Sequence, residues 1–133
     1  MSHEEAFIVS FVLPQRRRRY LALLETTKGR TKLVGALDHF ADLDSRYTKS
    51  VTPNTQTPEQ IKAILKEKGA PNTCYLISSN PKLDNREIGL LEALKQTVGQ
   101  GAGTVISCIP GLLAYFEGEE PSCRYILERP HSM

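Results

Sequence analysis

Residues 103–128, GTVISCIPGLLAYFEGEEPSCRYILE, decide the fold class. Two runs rich in β-branched and aromatic residues, 103–109 and 112–117, flank Pro110-Gly111. A third, 124–128, follows the polar turn at 117–122. Such runs bounded by turn residues read as consecutive antiparallel strands. Pro-Gly favours a type II turn, whose twist fits a tight two-residue hairpin poorly, so a wider connection or a bulge is expected there.

Helical patterns precede this β-rich end. Thr57 is an N-cap, Pro58 stands at the first helical position, and Gln60 completes a T-x-x-Q capping box. Ile61, Ile64 and Leu65 form the apolar stripe, and Gly69 lies where a left-handed C-cap residue belongs. Residues 73–78, TCYLIS, read as a largely buried strand stopped by Ser79-Asn80-Pro81. Asp84-Asn85-Arg86-Glu87 reads as a second capping box, opening a helix that packs Leu90, Leu91, Leu94 and Val98 and is closed by Gly99.

Toward the N-terminus, residues 7–13, FIVSFVL, are apolar on both faces, which suits a central strand covered on two sides. Pro14 ends that run. From Gln15 the period is helical, with Arg17, Tyr20, Leu21 and Leu24 on one stripe and Arg18 and Arg19 turned away. Residues 26–29 break the run, and a second helix groups Leu33, Val34, Leu37, Phe40 and Ala41 with His39 on its polar side. Residues 42–56, including Pro53 and Asn54, lack periodicity apart from a short strand expected at 47–51.

The expected order is β-α-α-α-β-α-β-β-β, without internal repeats. It gives a single α+β domain with a four- to five-stranded, mainly antiparallel sheet and helices packed chiefly on one face. Residues 1–5 and 129–133 are expected as flexible tails. A chain of 14.8 kDa folded as one domain exposes roughly 7,000 Å². Because the strands are apolar on both faces, helices on one face alone would leave the other for a second copy, and a homodimer through that sheet face is expected.

Composition removes several function classes. The longest strongly apolar stretch, 6–13, is eight residues long, against about twenty for a membrane span. It follows two glutamates rather than a basic region, unlike a signal peptide. Three cysteines (Cys74, Cys108, Cys123) without a C-x-x-C pair suggest reduced thiols and a cytoplasmic setting. Cys74 and Cys108 lie inside apolar strands, where a thiol acts as a buried hydrophobe with raised pKa. Residues 99–104, GQGAGT, are not a phosphate loop, because helix precedes strand here. No cofactor is implied.

The net charge is only +2, but between residues 14 and 32 seven basic residues accompany one acid, Glu25. Four are the consecutive arginines 16–19, near a helix N-terminus where the backbone dipole disfavours cations. The leading expectation is a small non-catalytic binding or regulatory module that engages an anionic protein or ligand through Arg16, Arg18, Arg19, Arg30 and Lys32. Nucleic acid is a further class, but only Tyr20 is nearby to stack on bases.

The competing enzymatic class is a metal-dependent hydrolase of a phosphorylated substrate, with Asp42 and Asp44 as ligands and His39 as shuttle or additional ligand. Ser79, Asn80 and Arg86, at a strand end beside an expected helix start, form another candidate anion-binding group. A turn at Ser79-Asn80-Pro81 with Asp84 and Glu87 capping the helix accounts for the same residues, Arg86 apart.

Overall fold

A computed structural model describes residues 1–52 and 56–130. The fold class is the expected one: an α+β domain built on a single antiparallel sheet, here of six strands rather than four or five. The strands are β1 (Thr48–Ser50), β2 (Thr73–Ser78), β3 (Arg86–Gly89), β4 (Thr104–Ile109), β5 (Leu113–Glu117) and β6 (Arg124–Glu128), in spatial order β1-β6-β5-β4-β2-β3. The helices are α1 (His3–Phe11), α2 (Arg17–Leu23), α3 (Thr27–Ala36), α4 (Pro58–Glu67) and α5 (Leu90–Thr97). The exposed area is 7277 Å², close to what the chain length predicts.

The pleat sorts the sheet into two apolar faces. Cys74, Leu76, Ile106, Cys108, Tyr115 and Ile126 meet α4 and α5 through Ile61, Leu65, Leu90 and Leu94. The alternate residues Ile77, Val105, Ala114, Phe116 and Leu127 meet α1, α3 and the 3-10 turn that follows α3 through Phe7, Phe11, Leu33 and Leu37. Helices thus stand on both faces, not chiefly on one. No open sheet face is left for the expected homodimer among the described residues, because the second apolar face is covered within the chain.

That cover is supplied by the segment read as a central strand. Residues 3–11 form α1, started by Ser2, whose hydroxyl accepts from the Glu5 amide while the Glu5 carboxylate accepts from the Ser2 amide. Residues 3–5 are therefore helical rather than a loose tail. An apolar run buried on most sides carries no period that separates strand from helix; the S-x-x-E capping box is the signal that does. After α1 the chain runs extended, with Val12 bridged to Leu43.

Residues 26–29 break the helical run as expected, but they also start α3: the Thr26 hydroxyl accepts from the Gly29 amide. The short strand expected at 47–51 is present as β1, paired with β6. Pro53 and Asn54 fall outside the described residues, as does 131–133 of the C-terminal tail. Arg129 is tied down, its amide on the Leu112 carbonyl and its Nε on the Ser10 carbonyl.

The expected capping box at 84–87 does not start a helix. Residues 86–89 are edge strand β3, with Ile88 opposite Cys74, and α5 begins at Leu90. The Asp84 carboxylate instead accepts from the Ser78 amide and from Arg30, and Asn85 turns the chain with φ 61°. Pairing with β2 outweighs a local capping preference worth about 1 kcal/mol. At the other hairpin the expected irregularity is present: the β4–β5 register shifts between Ser107 and Ile109, and Gly111 takes a positive φ.

Candidate functional site

The basic cluster begins at Pro14, which opens a 3-10 turn leading into α2. Two side chains fasten this helix. Arg17 donates from Nε to the Val12 carbonyl at 2.9 Å, with its guanidinium 3.8 Å from Asp44. The Tyr20 hydroxyl donates to Asp42 at 2.5 Å, and its ring lies against Phe40 with centroids 5.3 Å apart. Burial, then the Asp42 hydrogen bond, pushes the Tyr20 phenol up to about 12.

Asp44 underlies the same region. It is buried and accepts from Arg46 at 2.7 Å and 3.1 Å. Those hydrogen bonds hold its carboxyl below the ordinary range, against the opposing effect of burial. With the inner stripe anchored in this way, Arg16, Arg18 and Arg19 remain on the outside. Arg16 is half exposed, 3.9 Å from Asp42. Arg18 and Arg19 are exposed and, among the described residues, have neither ion pair nor hydrogen bond. The first turn of α2 contains no acid and no side-chain cap to offset them.

The remaining expected ligand residues divide. Lys32 is exposed on α3 and unpaired among the described residues. Arg30 is consumed by the structure, since it bridges Glu4 and Asp84 with four hydrogen bonds. Arg30 and Ser79, distant in sequence, line one cleft of about 290 Å³. Their polar atoms are already engaged, however, because Ser79 donates to Asp38 at 2.6 Å. Asn80 accepts from the Lys82 amide within the turn, and Arg86 donates to the Lys82 carbonyl. The expected turn is present after β2, but Asp84 and Glu87 cap no helix there, because residues 86–89 are β3.

The residues of the hydrolase reading do not converge. His39 is exposed, as its helical position implies, and faces Glu119 at 2.8 Å. Asp42 serves Tyr20 and Arg16, while Asp44 serves Arg46 and Arg17. Among the described residues no group of three His, Cys, Asp or Glu side chains is arranged to hold a metal ion. Cys74 and Cys108 are buried free thiols, both pushed up to about 12 chiefly by burial. A thiol protonated at neutral pH is a poor nucleophile.

Two features lie outside the motif-based reading. One is a cleft of about 420 Å³ at the β1–β6 edge beneath α4. The other is Glu117, buried at the end of β5. It accepts from the Tyr115 hydroxyl at 2.7 Å and the Gly99 amide at 2.9 Å, with Arg124 3.4 Å away. Desolvation outweighs those favourable contacts and raises its pKa. Alternation marks Glu117 as inward-facing with Leu113 and Tyr115, so strand parity was the available signal.

A carboxyl that stays protonated to higher pH in the folded chain than in the unfolded one destabilises the fold once ionised. The contribution of Glu117 is therefore neutral below the unfolded value of about 4.3, and stability falls as pH rises through the folded value. We expect Glu117→Gln to remove this component of the slope in urea unfolding followed from acid to neutral pH. An unchanged slope in Glu117→Gln would show that ionisation of this carboxyl is not penalised.

No family model, curated protein or solved structure matches the chain. Among the described residues, no helix is long and apolar enough to cross a membrane.

Proposed function

We propose that the chain is a non-catalytic binding module that engages an acidic protein surface through the outer face of α2 and the neighbouring α3 cations. One observation carries this reading: within the basic segment, the structure separates structural cations from available ones. Arg17 and Arg30 are spent on internal carboxylates. Arg18, Arg19, Lys28 and Lys32 are exposed and unpaired among the described residues. Concentrating arginines in the first helical turn is locally unfavourable by a few tenths of a kcal/mol each. Among the described residues, no ion pair or hydrogen bond compensates for Arg18 and Arg19.

A protein partner is favoured over nucleic acid by the state of Tyr20. Its ring is packed against Phe40 and its hydroxyl is held by Asp42, which leaves no aromatic platform among the arginines for stacking on bases. The homodimer and the hydrolase have no comparable observation in their favour.

The test is titration calorimetry with a synthetic all-glutamate peptide and, in parallel, a single-stranded oligonucleotide. Replacing Arg16, Arg18 and Arg19 together by Ser should weaken peptide binding about tenfold, at roughly 0.5 kcal/mol per exposed contact. The salt dependence should flatten as well. A control with Lys66, Lys82 and Lys95 replaced by Ser removes the same charge elsewhere and should retain most of the affinity. Equal losses in both variants would reduce the effect to net charge and overturn the reading. Tighter binding of the oligonucleotide would favour nucleic acid.

A further inference from the structure

We propose that the cleft between β1, β6 and α4 is a binding site for a small amphipathic carboxylate, a monoanion carrying a short apolar tail. The cleft arises from how the helices share the sheet. Helix α5 lies over β2, β3 and β4, and α4 packs beside it, so the β6–β1 edge of the same face extends beyond their cover. The volume left there is about 420 Å³, within the range of small-molecule sites, roughly 300–1,000 Å³.

Its floor and its wall differ in chemistry. Val51, Ile64 and Ile126 supply apolar surface. Lys49 is the cross-strand partner of Ile126, so its side chain rises on the same face. Among the described residues its ammonium has no hydrogen bond or ion pair. Lys68 stands across from it on the α4 side, joined to Glu128 at 2.8 Å, with both of those side chains partly exposed. Two ammonium groups and one carboxylate thus border an apolar floor, an excess of one positive charge.

A tail laid on the floor removes apolar area from water. The carboxylate meets Lys49, whose methylene stem lies along the same surface. A polyanion fits less well, because Arg46, the guanidinium at the cleft, already serves Asp44. An added peptide strand fits less well too, since β1 is three residues long. This site is separate from the α2 face and lies on the other side of the sheet.

The experiment is amide chemical-shift titration of the full chain with octanoate, octanol and octylammonium, each kept below its aggregation threshold. Octanoate should give saturable shifts confined to residues 47–51, 64–68 and 126–128. Octanol, and octanoate added to Lys49→Gln, should bind about tenfold more weakly, the loss of one charge-assisted contact. Octylammonium should not bind. The variant with Ser at 16, 18 and 19 should bind octanoate as the parent does, which separates failure here from failure of the acidic-partner reading. Absence of saturable shifts, equal affinity for octanoate and octanol, or unchanged octanoate affinity in Lys49→Gln would overturn the proposal.

Discussion

Replacing Gly103 by Ala is expected to destabilise the chain by about 4 kcal/mol, which lowers the melting temperature by roughly 15 °C for a domain of this size. Gly103 leads into β4 and is buried against the 3-10 turn 37–39. A β-carbon there would fall on the Leu37 carbonyl carbon and oxygen and the Asp38 nitrogen. Those are backbone atoms, and they cannot swing aside as a flexible side chain can. Their position is also fixed from both directions. The Gly103 amide donates to the Asp38 carboxylate at 2.7 Å, and the Gly103 carbonyl accepts from the Ser79 amide at 2.9 Å.

Asp38 in turn accepts from the Ser79 hydroxyl, so α3's exit, β2's end and β4's start meet at one junction. Gly35→Ala is the control. A β-carbon at position 35 has nothing within 4 Å, and in the last turn of α3 alanine is favoured over glycine by up to about 1 kcal/mol. Urea midpoints should therefore move in opposite directions for the two substitutions. A Gly103→Ala midpoint equal to the parent's would contradict the packing of the 3-10 turn onto the sheet.

Arg30→Ala should cost about 2–3 kcal/mol, the range for breaking a buried ion pair discounted because the side chain is a quarter exposed. Its guanidinium lies within 2.5–3.0 Å of Glu4 and Asp84 oxygens. It thereby ties α3 to α1 and to the β2–β3 connection. Both acids carry further loads, Glu4 accepting from the Tyr75 hydroxyl and Asp84 from the Ser78 amide. Deleting the cation leaves two carboxylates half-buried together.

Lysine at position 30 should recover little of the loss, because an ammonium offers a point charge rather than a planar fork. A cycle with Glu4→Gln measures the coupling, which should be less than additive by at least 0.5 kcal/mol. Affinity for the glutamate peptide should not change in Arg30→Ala, provided that variant is tested where it remains folded. Reduced affinity would return Arg30 to the set of available cations.

Some elements were legible because their signals are local. The T-x-x-Q box places the start of α4, and its stripe Ile61, Ile64 and Leu65 faces the core as periodicity predicts. The β4-β5-β6 meander follows from runs punctuated by Pro110-Gly111 and the polar turn before Cys123. The strand at 86–89 was not legible, because Asp84 and Glu87 carry a capping pattern that pairing with β2 overrides. The available arginines were only half legible: helical spacing turns Arg18 and Arg19 outward, but nothing local announces that Arg30 is spent.

Local patterns specify one α+β domain around an antiparallel sheet, with positive charge gathered between residues 14 and 32. Apolar period, turn chemistry and charge are properties of neighbouring residues, so they can be read without coordinates. Tertiary contacts alone set the packing of α1 across the second sheet face, the neutralisation of Arg17 and Arg30, and the cleft at the β1 edge. Each depends on contacts between residues far apart in the chain. Arg30 meets Asp84, Lys68 meets Glu128, and Gly103 meets Leu37 only after the layers have closed.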